Sequence, residues 1–255
     1  NFSISLINKY LKVMSDIKAD YVEIGFRSQE KKEFRGACAY STDEFLNSLQ
    51  IPKNLKIAVM INAVELIRNK SEKKNIASLK TLLKKSKFSK IKLVRIASHF
   101  SEIHRVMPIA NKIKTLGYKV AINLMQISDR TEKEIKEVCD LAKQINIDTL
   151  YFADSTGSLD SNQTLKVIKD FKKNWKKNLG IHAHDNMDKA MENATVAMNN
   201  GVNWIDSTVL GMGRGPGNVK TENLVLELDK IYKRKVNYNS LIKLVENDFI
   251  SMKNK

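Results

Sequence analysis

Short runs of apolar and β-branched residues alternate along this chain with longer stretches in which apolar positions recur every three or four residues. The short runs predict strands over residues 21–26, 57–62, 93–98, 119–126, 149–155, 180–184 and 204–210. The longer stretches predict helices. Leu6, Ile7, Tyr10, Leu11 and Met14 fall in one stripe of a helix. Thr131 followed three residues later by Glu134 is a capping box, and Ile135, Val138 and Leu141 continue the helix it opens. Met125, Met187, Met191 and Met198 are read as core filler. Most of the strands are apolar on both faces, which an open antiparallel sheet would not tolerate. The pattern is that of a parallel sheet covered by helices.

The count of elements is informative. Seven strands follow seven helices, and the chain opens on a helix at Asn1 rather than on Met. A TIM (β/α)8 barrel needs one more strand, whose natural place is before Asn1, so the fold class is read as α/β, a barrel with its first strand missing from this sequence. The alternative is an open, doubly wound seven-stranded sheet. No G-x-G-x-x-G follows an early strand, so the dinucleotide-binding version of that alternative has no support. Residues 1–235 are assigned to the barrel. Residues 236–255 are assigned to a C-terminal helix that closes it or leads into a further domain.

Composition changes this picture little. The chain has 255 residues, 42% hydrophobic and 28% charged, enough for one large core. It contains no apolar run of membrane-spanning length and no secretory signal pattern, so no membrane association is expected. Cys38 and Cys139 lie on separate predicted elements, and a reducing cytoplasm is the expected location. A net charge of +16 raises the question of nucleic acid. The lysines, however, are spread over almost every helix, and Phe88 is the one aromatic residue within the two densest runs. That argues for solvated helix faces and against a nucleic-acid partner.

The sharpest chemical signal is Ile181-His182-Ala183-His184-Asp185-Asn186. Side chains alternate across a strand, so His182 and His184 project from the same face. On a barrel strand that face is the interior, and active sites are built at the C-terminal strand ends. Two neutral imidazoles at this spacing can share one divalent metal ion. A second signal is Gly211-Met212-Gly213-Arg214-Gly215-Pro216-Gly217-Asn218, after the last strand. Its glycines permit close backbone approach to a ligand. A helix from about Val219 would point its N-terminus at the same place and favour an anion. A tight turn explains the glycines equally well, and Asn218 is also a candidate N-cap. Other polar groups stand at strand ends: Glu23, Arg95, Asp154 and Ser155. For Glu23 and Arg95 an internal salt bridge and a role in binding remain equal readings.

Taken together these segments resemble the metal-dependent aldolase and acyl-CoA lyase/synthase superfamily of barrels, the HMGL-like or DRE-TIM metallolyases. The resemblance runs from Tyr21-Val22-Glu23-Ile24-Gly25 to Thr221-Glu222 and is most specific at His182-Ala183-His184 and Gly217-Asn218. Val94-Arg95-Ile96-Ala97-Ser98-His99 and Tyr151-Phe152-Ala153-Asp154-Ser155 are most similar to the 4-hydroxy-2-oxovalerate aldolases. The lyases of the group carry a catalytic Cys in the glycine-rich loop, where this chain has Met212 and Arg214. The superfamily's L-R-D-G motif, which holds a further metal ligand on the first strand, is not in this sequence.

The resemblance implies a carbon–carbon lyase of the aldolase type that acts next to a 2-oxo acid such as pyruvate through a metal-stabilised enolate. His182, His184 and Asn218 would hold a divalent metal, Mn2+ or Mg2+ first and Zn2+ or Co2+ as alternatives. Ser155 would bind the substrate carboxylate, and Glu23 and Asp154 are the catalytic candidates. Arg95, Arg27 and Arg214 are the further substrate-binding candidates; Arg27 and Arg214 are atypical of the aldolases and would read an acidic or phosphorylated acceptor at the barrel mouth. The expected partners are the small-molecule 2-oxo acid and aldehyde, with a homodimer left open. The rival readings are a Claisen-type synthase joining an acyl-CoA to a 2-oxo acid, and a non-catalytic barrel module of a larger protein.

Overall fold

A computed structural model describes residues 2–29 and 35–253. Asn1 and the two last residues, which end the assigned ranges, lie outside the described residues. The chain forms two compact units, Asn1–Ile122 with Leu141–Asp148, and Asn123–Asp140 with Thr149–Lys255.

The first unit opens with α1 (Ile4–Asp16), capped by Ser3, whose hydroxyl accepts from the Leu6 amide at 3.2 Å. Ile7, Leu11 and Met14 of the predicted stripe are buried, while Leu6 and Tyr10 flank them at intermediate depth. There follow β1 (Tyr21–Phe26), α2 (Asp43–Ser48), β2 (Lys56–Asn62), α3 (Ala63–Leu66), α4 (Glu72–Leu82), β3 (Ile91–Ser98), α5 (Ile103–Thr115) and β4 (Lys119–Leu124), of which Asn123 and Leu124 count with the second unit. β2 and β3 are buried along almost their whole length, as expected of strands covered on both faces. β1 pairs with β2 and β2 with β3, all parallel.

α6 (Glu132–Gln144) opens in the second unit on the predicted box, and its last residues, from Leu141, count with the first. The Glu134 amide donates to the Thr131 hydroxyl at 3.3 Å, and the Thr131 amide donates to the Glu134 carboxylate at 2.8 Å. Then come β5 (Thr149–Asp154), α7 (Ser161–Asn174), β6 (Asn178–Ala183), α8 (Ala190–Asn199), β7 (Trp204–Ile205), α9 (Thr221–Tyr232) and α10 (Tyr238–Leu244). A π-helical turn (Val245–Phe249) and α11 (Ile250–Lys253) complete it. β5 pairs with β6 and β6 with β7, again parallel. Gly180 faces the ring of Tyr151 so closely that a Cβ there would stand 2.4 Å from it. The absent side chain is what lets β5 and β6 pair with a buried tyrosine between them.

The seven strands follow one another in the sheet in chain order. A doubly wound sheet reverses its strand order at a switch point, and this one does not. The fold is therefore α/β of the TIM-barrel class, with seven strands among the described residues. Among the described residues no helix is long and apolar enough to cross a membrane.

Three expectations are corrected. The run predicted as a strand over 204–210 is a strand only at Trp204–Ile205. Beyond it Thr208 exchanges backbone hydrogen bonds with Val219 and Thr221, and residues Val209–Gly211 curl into a 3-10 turn with Leu210 and Gly211 at positive φ. The helix expected from Val219 begins at Thr221 with Lys220 as its cap, so Asn218 is not an N-cap. Met198 is core, but Met187 is half exposed in the loop after β6.

Candidate active site

The second unit gathers most of the candidate residues at the end of β6. His182 lies on β6 in register with Ala153, and the alternation of the strand brings His184 to the same side. The two rings stand edge to face, their centroids 5.1 Å apart and their planes at 83°. His182 Nδ1 lies 3.0 Å from Asp206 Oδ2. A carboxylate in that position accepts a hydrogen bond from Nδ1–H, which places the proton there and leaves a lone pair on Nε2. His182 Nε2 faces the Asn218 amide nitrogen at 3.4 Å, and that nitrogen also donates to the Ala183 carbonyl at 3.3 Å.

His184 has a different environment. Its Nδ1 is buried and has no hydrogen-bond partner. Burial pushes its pKa below the ordinary imidazole range and the neighbouring His182 adds to that, while the Asp154 carboxylate and ring hydrogen bonds to the backbone of Arg214 and Gly217 pull the other way. The ring is thus held neutral, the form in which an imidazole binds a metal.

The glycine-rich loop returns Asn218 to this place. Asn218 forms an isolated antiparallel bridge with His184, and the Asp185 amide donates to the Gly217 carbonyl at 3.1 Å. The Asn218 amide donates to Gly211 at 3.0 Å, and the Gly211 and Met212 amides donate to Thr208 and Val209. A Cβ on Gly213 would lie 2.1 Å from Asn218 Oδ1, and one on Gly217 would lie 2.3 Å from the Gly211 carbonyl oxygen. The glycines therefore seat Asn218 against β6; the amides of Gly211, Met212 and Asn218 are consumed in doing so. Of the two readings of this loop, the tight turn accounts for these contacts.

The donors fit a divalent cation of borderline character. They comprise a lone pair on His182 Nε2, an unpartnered buried nitrogen on His184 and the side-chain amide of Asn218, 5% exposed, beside them. Among the described residues no group of three or more His, Cys, Asp or Glu side chains is placed to hold a metal ion by itself. The ligand set present here is two imidazoles and an amide.

The remaining candidates divide. Asp154 is 1% exposed, and its carboxylate is used locally: it accepts from the Ser158 amide at 3.1 Å and the Leu159 amide at 3.0 Å, shaping the loop before α7. Both oxygens hold backbone, and the same carboxylate acts on the neighbouring His184, so Asp154 keeps its place among the catalytic candidates. The Ser155 hydroxyl, half-buried, accepts from the Gln126 amide at 3.0 Å. Arg214 is exposed. In the first unit Glu23 and Arg95 form an ion pair at 3.1 Å, the salt-bridge reading of the two, with Arg95 buried. Arg27 is a clear correction. Its Nε donates to the Leu82 carbonyl at 2.9 Å, Nη2 to Asp43 at 2.9 Å and Nη1 to the Ser41 carbonyl, and the residue is 7% exposed. A guanidinium spent on buried partners does not read an acceptor.

Asp206 is the residue that the sequence reading missed. It follows directly from the pairing of Ile181 with Ile205, which puts residue 206 beside His182. Parity groups Asp206 with Trp204 on the predicted strand, and the register of β7 against β6 turns that face to His182.

The HMGL-like family model matches residues 1–247. The chain belongs to the HMGL-like family. Among curated relatives of this HMGL-like chain, 4-hydroxy-2-oxovalerate aldolase of Geobacillus thermodenitrificans is 32% identical over 141 residues, which is 55% of this chain and 41% of the relative. The enzyme of the same name from Thermus thermophilus is 30% identical over 151 residues, 58% of this chain and 43% of the relative. The chain thus spans about two-fifths of the length of these relatives. Among solved structures, the N-terminal domain of a candidate aldolase from Bacteroides vulgatus matches all of this chain and 82% of its own, with a TM-score of 0.88 at 27% identity. HMG-CoA lyase of Bacillus subtilis covers 98% of this chain, with 86% of its own chain matched, a TM-score of 0.77 and 16% identity, a likeness of fold.

Proposed function

We propose that this HMGL-like chain carries the metal-binding centre of a carbon–carbon lyase of the aldolase type, acting next to the carbonyl of a 2-oxo acid such as pyruvate. The observation that carries the proposal is the pair His182 and His184 on one side of β6, one ring oriented by Asp206 and the other half-buried with its Nδ1 buried and unpartnered. The aldolase names of the curated relatives support it. So does the loop 211–218, which has Met212 and Arg214 where the lyases of the superfamily carry a cysteine.

His182, through Nε2, and His184, through Nδ1, would hold a divalent cation, Mn2+ or Mg2+ with Zn2+ or Co2+ as the alternatives that imidazole ligands also suit, with Asn218 as a third donor. The bound ion would supply Lewis-acid stabilisation of the negative charge that develops on the 2-oxo acid when the adjacent bond breaks. The rest falls to the chain. Asp206 keeps the His182 proton on Nδ1, and the buried surroundings of His184 keep that ring neutral. Ser155 and the exposed Arg214 are the second unit's candidates for the substrate carboxylate and an acidic acceptor; in the first unit Arg95 is a further substrate-binding candidate and Glu23 a catalytic candidate. We take residues 1–235 as the catalytic barrel. The segment from 236 is its closing helix, since Leu241, Leu244 and Phe249 are buried and Lys253 donates to the Leu210 carbonyl at 2.9 Å. A cytoplasmic location accords with Cys38 and Cys139 both standing outside any disulfide.

The test is titration of chelator-treated protein with Mn2+ by calorimetry, followed by pyruvate or oxalate. The expected result is one ion per chain, with ligand binding that requires it. A His182→Ala/His184→Ala variant that keeps its far-ultraviolet circular dichroism should lose both. Metal binding that survives the double substitution, or no binding in the parent, overturns the proposal.

A further inference from the structure

We infer that Asp206 is a positioning residue which selects the Nδ1–H tautomer of His182, so that Nε2 is the nitrogen offered to a ligand. This rests on the preceding reading only as far as that ligand is the metal. Three observations on one ring carry it. Nδ1 has a carboxylate oxygen at 3.0 Å, and Asp206 itself is held in place by the chain, its amide donating to the Ile181 carbonyl at 3.1 Å. Nε2 faces a donor, the Asn218 side-chain nitrogen, at 3.4 Å. A ring with an acceptor on one side and a donor on the other has one neutral tautomer that satisfies both; the reverse tautomer sets N–H against N–H on one side and a lone pair against a carboxylate on the other. That Asn218 nitrogen is fixed independently, because it also donates to the Ala183 carbonyl.

His184 has no such partner on Nδ1. The two imidazoles therefore differ in preparation: His182 is fixed in tautomer and orientation before any ligand arrives, while His184 is held by burial and the surrounding backbone. Carboxylates that receive the far N–H of a ligating histidine commonly contribute 10–100-fold to metal affinity. Asp206→Ala should weaken Mn2+ binding by about that factor. Asp206→Asn keeps an acceptor oxygen and loses the charge, so its effect should be several-fold smaller.

The decisive experiment has two readouts on the whole chain. The first is the tautomeric state of His182 in chelator-treated protein, from long-range proton–nitrogen correlation spectra recorded where the ring is neutral and assigned with His182→Gln. The parent should show the proton on Nδ1, Asp206→Asn should retain it, and Asp206→Ala should shift it towards Nε2 with little change in Tm. The second readout is the Mn2+ dissociation constant of the same proteins. A parent with its proton on Nε2, or an Asp206→Ala spectrum identical to the parent's, overturns the inference. An unchanged metal affinity in Asp206→Ala overturns its bearing on the metal. A parent that binds no metal yet shows the Asp206-dependent tautomer refutes the proposed function and leaves the positioning role standing. If Asp206→Ala does not fold, Asp206→Leu, which fills the space and offers no acceptor, takes its place and should show the same shift towards Nε2.

Discussion

Substituting Arg27 with Met separates the two roles that could be given to this arginine. The sequence places it at the end of β1, where an arginine would meet a substrate; the structure buries it against Asp43, Ser41, Leu82 and, through Asp43, the Ser89 hydroxyl at 2.6 Å. Methionine keeps most of the side-chain volume. What it removes is the charge opposite Asp43, whose side chain is 7% exposed, and the donors to two carbonyl groups. Removing one member of a buried ion pair typically costs about 3–5 kcal/mol, because the other charge is left without compensation. For a chain of this size each kcal/mol lowers Tm by roughly 2–4 °C, so the variant should melt about 6–20 °C below the parent. Removing both charges together, as in Arg27→Met/Asp43→Leu, should be less damaging than the single change, with about 2 kcal/mol regained, since no uncompensated charge remains. Urea unfolding of the parent, both single variants and the double variant gives the complete cycle. An Arg27→Met protein that loses less than about 1 kcal/mol and instead binds an acidic ligand more weakly would refute the structural role.

Four further outcomes are expected. Gly180→Ala forces a Cβ onto the Tyr151 ring and should cost about 1–3 kcal/mol, with the loss reduced in a Tyr151→Leu background as measured by denaturation. Asp154→Ala should cost about 3 kcal/mol and speed hydrogen exchange at the Ser158 and Leu159 amides, since two charge-assisted hydrogen bonds disappear. Burial raises the Cys38 thiol, so iodoacetamide should label it at pH 8 more slowly than a free thiol, with the rate climbing only above the ordinary cysteine range. His184 should make the metal-free protein sensitive to acid. Its folded pKa lies below the unfolded value, so the unfolded chain binds the proton first. Stability is then complete above the imidazole range and falls as pH drops from there towards the folded pKa, a slope that a His184→Gln variant should flatten.

How much of this was legible beforehand depended on whether the deciding contact was local. The alternation of a strand has period two whatever surrounds it, and so it brought His182 and His184 together correctly. The capping box at Thr131 needs only residues three apart, and it formed as expected. Arg27 failed because its partners come from residues 41, 43 and 82, and no periodicity announces them. The run after Trp204 was apolar enough to pass for a strand. What ended it was the pairing of Thr208 with Val219 and Thr221, a contact made across a loop.

The glycine-rich loop shows the same division within one segment. Four glycines after the last strand suggest amides turned towards an anion, and in isolation that remains reasonable chemistry. Here the loop must also deliver Asn218 to the end of β6, thirteen residues after β7 ends at Ile205. It does so by folding Gly217 onto the Gly211 carbonyl and leaving room at Gly213 for the Asn218 amide. Amides committed to that closure are not available to a ligand. The glycines are thus needed for reasons of space around a neutral side chain, and the charge that matters at this site comes from Asp206, a carboxylate one residue beyond a two-residue strand. A neutral amide and a half-buried carboxylate behind an imidazole favour a cation at the histidine pair, and the same two groups offer no attraction to a phosphate there.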